Sequence, residues 1–92
     1  MSEEKISRIK ESDTIKGIKF SICSTVTGFI YDIIGEGDVK DLEQLRESLD
    51  IESNIIEKSI FDTPLIVIDT TFDIDDAKYT MKKIIKRWSE IE

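Results

Sequence analysis

The stretch Pro64–Glu92, PLIVIDTTFDIDDAKYTMKKIIKRWSEIE, decides the fold of this chain. Its apolar run at 65–68 predicts a buried strand, and the residues after Asp73 predict one long amphipathic helix. Apolar side chains recur on that helix at steps of three and four and share one face: Ile74, Ala77, Met81, Ile84, Trp88 and Ile91. A strand that leads into a terminal helix indicates a domain of the α/β class.

The sequence before this stretch adds further elements. Strict alternation over Ile18–Cys23 predicts a strand with one wet face. The apolar spacing in Asp38–Leu49 predicts a helix, with Asp38 as its N-cap. Isoleucine-rich Ser53–Phe61 predicts another strand, and Asp62-Thr63-Pro64 predicts a tight turn that joins it to the next strand as an antiparallel hairpin.

The segment Ser24–Asp38 fits two structures. Its apolar residues follow helical spacing: Val26, Phe29, Ile30, Ile33 and Ile34. Gly28 and the β-branched residues weaken a helix, and a turn at Thr27-Gly28 would start a second strand equally well. The pattern favours a helix, and a strand is the alternative. Gly35-Glu36-Gly37-Asp38 then predicts a turn or helix stop, because it lacks the lysine and hydroxyl of a phosphate-binding loop.

The expected organisation is one domain behind a short arm. Residues 1–13 are polar and predict a flexible N-terminal arm, while residues 14–92 predict a single α/β (α+β) domain. We expect a two-layer sandwich, an antiparallel sheet of about three to four strands with about two to three helices mainly on one face. The predicted core is Phe20, Ile22, Leu42, Leu45, Ile66, Ile68, Met81, Ile84 and Trp88.

The amino-acid composition limits the classes of function that we expect for this chain. The chain has no histidine and a single cysteine, so it lacks the commonest general base and metal ligand and cannot form an internal disulfide. We therefore expect no enzyme activity, no cofactor and no metal, with Cys23 as an inert packed thiol. No apolar run approaches the roughly 20 residues of a membrane span, and no leader pattern is present, so we expect a cytoplasmic protein. Abundant lysine and glutamate, with only one Asn, one Gln and one Cys, are typical of thermophile proteins.

Charge is distributed unevenly along the chain. The net charge is −7, yet residues 77–92 hold five Lys/Arg against two Asp/Glu, whereas residues 37–76 hold three against twelve. This balance argues against a basic nucleic-acid-binding face and suits an acidic patch for a protein partner. The basic side of the last helix is interpreted as a solvated face or as candidate phosphate contacts: Lys78, Lys82, Lys86 and Arg87.

The carboxylates before that helix are interpreted as helix capping. Asp69, Asp73, Asp75 and Asp76 lack the alternation, glycine and closing glutamate of a calcium loop. Asp73 and Asp76 stand at the spacing that a helix start favours.

An interface is predicted on the strand at 65–68. If Ile66, Ile68 and Phe72 face the helices, alternation places Leu65 and Val67 on the other sheet face, where a short chain has little to cover them. An exposed apolar sheet surface favours a homodimer, or a heterodimer with another protein subunit. We expect Leu65 and Val67 in this interface, with Trp88 at its margin.

The order strand, helix, hairpin, helix resembles the small dimerising subunit of the archaeal and eukaryotic KEOPS complex, which modifies tRNA. The similarity runs from about Ile18 to Ile91. Its points are Ile18–Ile22 as first strand, Phe29-Ile30-Tyr31 in a helix, Leu65–Ile68 in the hairpin, Asp73 before the last helix, and Lys86-Arg87-Trp88 near an Arg-Trp pair of that family.

With a strand in place of a helix at Ser24–Asp38, the order is instead similar to the small α-like subunit L of archaeal RNA polymerase. Both families are noncatalytic dimerising subunits of larger information-processing complexes. The resemblances therefore imply an accessory subunit in tRNA modification or, alternatively, in polymerase assembly. For an accessory subunit, contact with nucleic acid would be indirect. The further alternative is a small nucleic-acid-binding module, with the last helix as its candidate phosphate contact.

Overall fold

The computed structural model describes residues 6–25, 28–59 and 61–91. Its elements are β1 Ile6–Ile15, β2 Ile18–Thr25, β3 Tyr31–Glu36, α1 Val39–Ser48, β4 Ile55–Ile56, β5 Leu65–Thr71 and α2 Ile74–Glu90. The strands form one antiparallel sheet in the order β1-β2-β3-β5-β4. The predicted α+β class is confirmed, but the sheet has five strands rather than three or four.

Both helices pack on the same face of the sheet. The buried core there joins sheet and helix side chains: Ile18, Phe20, Ile22, Ile33, Leu42, Leu45, Ile66, Ala77, Met81 and Trp88. Every predicted core residue lies in this cluster or packs against it, Ile68 and Ile84 being only partly buried. Periodic apolar patterns identified this face because burial on one side is what produces them. Within the described residues no helix is long and apolar enough to cross a membrane.

The helix favoured over Ser24–Asp38 is wrong, and the strand alternative is confirmed. β2 continues to Thr25, and β3 pairs with it antiparallel, with Ile22 opposite Ile33 and Ser21 opposite Ile34. Ile33 belongs to the helix-side core, whereas Ile34 is buried on the opposite face. A strand that is buried on both faces has apolar residues at adjacent positions. Such a run also contains the steps of three and four that indicate a helix. Val26 lies outside the described residues.

The predicted arm is also wrong where the structure describes it. β1 covers residues 6–15 and pairs with β2 from Ile6–Thr25 to Ile15–Ile18, while residues 1–5 are outside the described part of the chain. Two register shifts interrupt the pairing, one between Arg8 and Lys10 and one between Glu11 and Thr14. Bulges break the alternation by which a strand is recognised, so this polar edge strand had no period-two pattern.

The turn between β1 and β2 is held against the end of α2. Lys16 and Gly17 both have positive φ, 52° and 88°, as a two-residue hairpin turn requires. The Lys16 ammonium donates to the backbone carbonyls of Trp88 and Ile91, where the negative end of the helix favours a cation. Gly37 approaches this turn so closely that a Cβ there would lie 2.6 Å from the Gly17 carbonyl oxygen. Gly35-x-Gly37 therefore serves chain packing at a strand end.

The remaining local predictions hold with differences in detail. The Asp73 carboxylate accepts from the backbone N–H groups of Asp75 and Asp76, as a capping residue does, whereas Asp38 occupies the N-cap position of α1 without a side-chain bond. The hairpin forms between β4 and β5, but β4 is only two residues long and pairs with Leu65 and Ile66. The connection between these strands is residues 57–64, of which 57–59 and 61–64 are described, so it is longer than the tight turn predicted at Asp62-Thr63-Pro64.

Candidate functional site

The sheet face away from the helices, called here the helix-free face, carries its own apolar cluster. Cys23, Ile34 and Leu65 are buried there, and Phe61 and Val67 pack against them. Leu65 and Val67 thus lie opposite Ile66, as alternation predicted. The signal in the sequence was the pair of adjacent isoleucines in β3, which a strand with one wet face would not carry.

Side chains of the same chain cover most of this helix-free face. The loop residues 57–59 and 61–64 are called here the Phe61 loop. The Phe61 ring packs against the cluster, and the Arg8 guanidinium lies 4.4 Å from the ring centroid. Ser59 anchors the loop because its Oγ donates to the Thr63 carbonyl and accepts from the Phe61 N–H. Leu65 is only 5% exposed, so little of its side chain is left for the predicted interface.

An ion pair completes the cover. The Arg8 Nη2 lies 2.8 Å from the Glu36 Oε1, and the Arg8 Nη1 donates to Glu11 at 2.9 Å. Ser21 Oγ donates to the same Glu36 carboxylate. Burial alone would lower the pKa of Arg8, but its bonds to Glu11 and Glu36 outweigh burial and raise it. Arg8 and Glu36 were not singled out from the sequence, because only the register of β1, β2 and β3 brings them together.

A groove remains open beside the Phe61 ring. It encloses about 270 Å³ and is lined by Ile34, Leu65, Val67 and Phe61 together with Ile56, which is 45% exposed. Val67 is half-buried and lies in this groove. Of the predicted interface residues, Val67 is therefore the one whose side chain stays accessible on the predicted face.

Cys23 is packed inside the same cluster. It is 2% exposed, and burial raises the pKa of its thiol. The prediction that Cys23 is packed inside the fold is confirmed. An enclosed thiol with a raised pKa is a poor nucleophile.

Trp88 lies inside the helix-side core and not at a margin of the surface. Its side chain is 1% exposed, its Nε1 donates to the Ile15 carbonyl at 2.9 Å, and the Lys16 ammonium lies 4.7 Å from its ring centroid. The unforeseen strand β1 and its turn cover Trp88, so almost none of its side chain is left for the predicted interface.

Exposed aromatic side chains gather instead at one end of the sheet. Tyr31 of β3 pairs with Thr71 of β5, and the residues just beyond this pair are Ile30 and Phe72. Phe29 is 74% exposed and Phe72 is 79% exposed, with Ile30 at 38%. Phe72 does not face the helices, contrary to expectation. These three residues are called here the aromatic end.

The four candidate phosphate contacts do not form one cluster. Lys78 and Lys82 line a groove between α2 and β1 that they share with Lys10, whereas Arg87 lines a separate cavity near the end of α1. Lys86 is exposed and lines neither. The separation follows from helix geometry, because Arg87 comes one residue after Lys86 and therefore lies about 100° further around the helix axis.

Carboxylates share the cavity that contains Arg87. Its volume is about 450 Å³, and Asp50, Glu52 and Asp69 line it opposite Lys83 and Arg87. The three carboxylates outnumber the two cations, so this cavity offers no net attraction to phosphate. No group of three or more His, Cys, Asp or Glu side chains able to hold a metal ion occurs among the described residues.

Comparison of the chain with protein-family models, curated proteins and solved structures found no match.

Proposed function

We propose that the chain is a noncatalytic accessory subunit that dimerises, with itself or with another protein subunit, inside a larger complex. The observation that carries the proposal is the aromatic end, where Phe29 and Phe72 each expose about three quarters of their surface. Large apolar groups that protrude together are typical of association sites, and phenylalanine is enriched at the centre of interfaces.

The helix-free face supports the same proposal. The groove beside Phe61 presents Val67 and Ile56, so an apolar side chain of a partner has a place to insert. Val67 remains the predicted interface residue on this face, and the aromatic end replaces Leu65 and Trp88 as the larger apolar surface.

The element order from Ile18 onward is strand, strand, helix, hairpin, helix. This order supports the resemblance to the small α-like subunit of RNA polymerase more than the resemblance to the KEOPS subunit, which relies on a helix at Phe29–Tyr31. We propose a role in an information-processing assembly of this kind, with the partner being protein and any nucleic acid held by other subunits.

The test compares association of matched surface variants. Phe29→Ser with Phe72→Ser removes the aromatic end, and Lys86→Ser shortens an exposed side chain that lies outside the aromatic end and outside the grooves described above. We expect the double variant to lose the wild-type dimer or partner complex in sedimentation velocity, while Lys86→Ser keeps it. Because all three side chains are exposed, melting temperatures should stay close to wild type. Unchanged association of the double variant, or a wild type that neither dimerises nor captures a protein partner, rejects the proposal.

A second variant tests the helix-free face. Val67→Lys places a charge in the groove beside Phe61 and should weaken association in the same sedimentation assay. Val67→Thr is the matched control, since it keeps the shape and adds no charge. If Val67→Lys retains the wild-type sedimentation mass and partners, this face takes no part in the interface.

A further inference from the structure

The groove between β1 and α2 is called here the lysine groove. Its polar rim is Lys10, Lys78 and Lys82, and its apolar lining is Tyr79, Met81 and Ile85, around a volume of about 430 Å³. No carboxylate lines it, although the chain carries 20 Asp and Glu residues against 13 Lys and Arg. Positive charge is therefore concentrated in this groove, although the net charge of the whole protein is negative.

The irregular pairing of β1 with β2 places Lys10 at this groove. Arg8 lies opposite Cys23 and belongs to the helix-free face, and an unbroken strand would place Lys10 on that face too. The register shift between them brings Lys10 opposite Ile22, which belongs to the helix-side core. Bulges commonly re-aim a side chain in this way. The bulge thus adds a third cation to the two from α2.

None of the three lysines has a carboxylate within ion-pair distance among the described residues; the pairs there involve Arg8 and Lys19. By contrast, the bottom of the groove is apolar, with Met81 buried and Ile85 half-buried. A ligand that complements this site carries negative charge at its sides and an apolar group at its centre.

We propose that the lysine groove binds an acidic segment of a partner protein that inserts an apolar side chain between the lysines. This inference rests on the proposed role as an interaction subunit, but it uses a surface other than the aromatic end and names the chemistry of the partner.

Two observations favour a peptide over a nucleic acid. β1 is an edge strand, paired only with β2 in the described part of the chain, so its outer backbone groups can bond to an extended peptide. The aromatic ring at the groove is already in contact with a cation, since the Lys83 ammonium lies 5.2 Å from the Tyr79 centroid. Base stacking would have to displace that contact.

The probe is a fluorescein-labelled peptide in which glutamate alternates with leucine, measured by fluorescence anisotropy with the full chain. Two comparison peptides replace glutamate by glutamine or leucine by serine, and labelled poly(U) RNA tests the rival ligand. We expect the Glu-Leu peptide to bind more tightly than both comparison peptides and the RNA. Equal binding of the glutamine peptide, tighter binding of RNA, or no binding of the Glu-Leu peptide overturns the inference.

Two charge reversals on the same helix locate the site. Lys82→Glu lies in the groove, and Lys86→Glu makes the same change in net charge outside it. We expect Lys82→Glu to weaken peptide binding roughly five- to tenfold, because an exposed attraction becomes a repulsion, and Lys86→Glu to change it less than about twofold. Equal losses in both variants contradict a defined groove.

The aromatic-end variants separate this inference from the proposed function. Phe29→Ser with Phe72→Ser should leave peptide binding unchanged. If the peptide fails to bind while that double variant still loses association, only the groove inference falls. If association does not depend on the aromatic end but the peptide binds in the groove, the proposed assembly surface is wrong and the groove inference stands.

Discussion

The two faces of the sheet are buried by different means. The helix-side face meets α1 and α2 in a core of apolar side chains, in which Ile18, Phe20 and Ile66 are fully buried. The helix-free face has a smaller cluster under one aromatic ring and one ion pair, Phe61 and Arg8–Glu36. Helices cover the helix-side face, whereas side chains from a loop and an edge strand cover the helix-free face. The cover on the helix-free face is thinner and leaves a groove open beside Phe61.

The largest expected effect compares neighbouring residues of β5. Ile66→Ala should lower the free energy of unfolding by about 4 kcal/mol and Leu65→Ala by about 2 kcal/mol, because a cavity among packed helices relaxes less than one beside an open groove. Urea unfolding of both variants measures the difference. A loss for Leu65→Ala equal to or above that for Ile66→Ala would mean that the two faces are packed alike.

The ion pair on the helix-free face gives the next effect. Glu36→Gln keeps the size of the side chain and removes the charge that faces Arg8, so we expect a loss of about 1–3 kcal/mol in the free energy of unfolding. Glu11→Gln is the control, since Glu11 also bonds to Arg8 but is half exposed, and it should cost much less. Similar losses in the free energy of unfolding for both variants would show that burial does not strengthen the interaction of Glu36 with Arg8.

The covering role of the Phe61 loop is tested through the buried thiol. Phe61→Ala should increase the rate at which a thiol reagent modifies Cys23 in the folded protein, because the ring packs against the cluster that contains this residue. Phe72→Ala removes the same ring from the aromatic end and should leave the rate unchanged. Equal rates in wild type and Phe61→Ala would show that something other than this ring protects the thiol.

The smallest effect is a dependence on pH. The hydrogen bond from Arg8 holds the pKa of Glu11 below its ordinary value. A lowered folded-state pKa stabilises the protein above the unfolded-state pKa, and this contribution is lost as the pH falls through the folded-state pKa. The difference in urea midpoint between wild type and Glu11→Gln should therefore shrink on acidification. A difference that stays constant from neutral to acidic pH contradicts this assignment.

Local patterns were sufficient for part of the molecule. The helix α2, its Asp73 cap, the helix α1 and the helix-side core were all predicted, because a single buried face and a capping side chain leave their spacing in the sequence. The alternation in β5 also separated Leu65 from Ile66 correctly. Each of these features depends on residues close together in the chain.

The candidate surfaces depend on residues far apart. Alternation showed that Leu65 faces away from the helices, but it contained no information about the Phe61 loop that covers it. The lysines of α2 were visible as a stripe, but their separation and the addition of Lys10 required the helix axis and the bulge in β1. The exposure of Phe72 was not foreseen, because the strand ends before it.

The sequence by itself determined the α+β class, the terminal helix and the residues of the main core, since burial on one face imposes a period that needs no knowledge of partners. Only the tertiary structure decided that Tyr31–Glu36 is a strand, that residues 6–13 form an edge strand, and which apolar groups remain exposed. These features follow from which segments lie side by side in the sheet, and strand pairing joins residues whose distance along the chain carries no local signal.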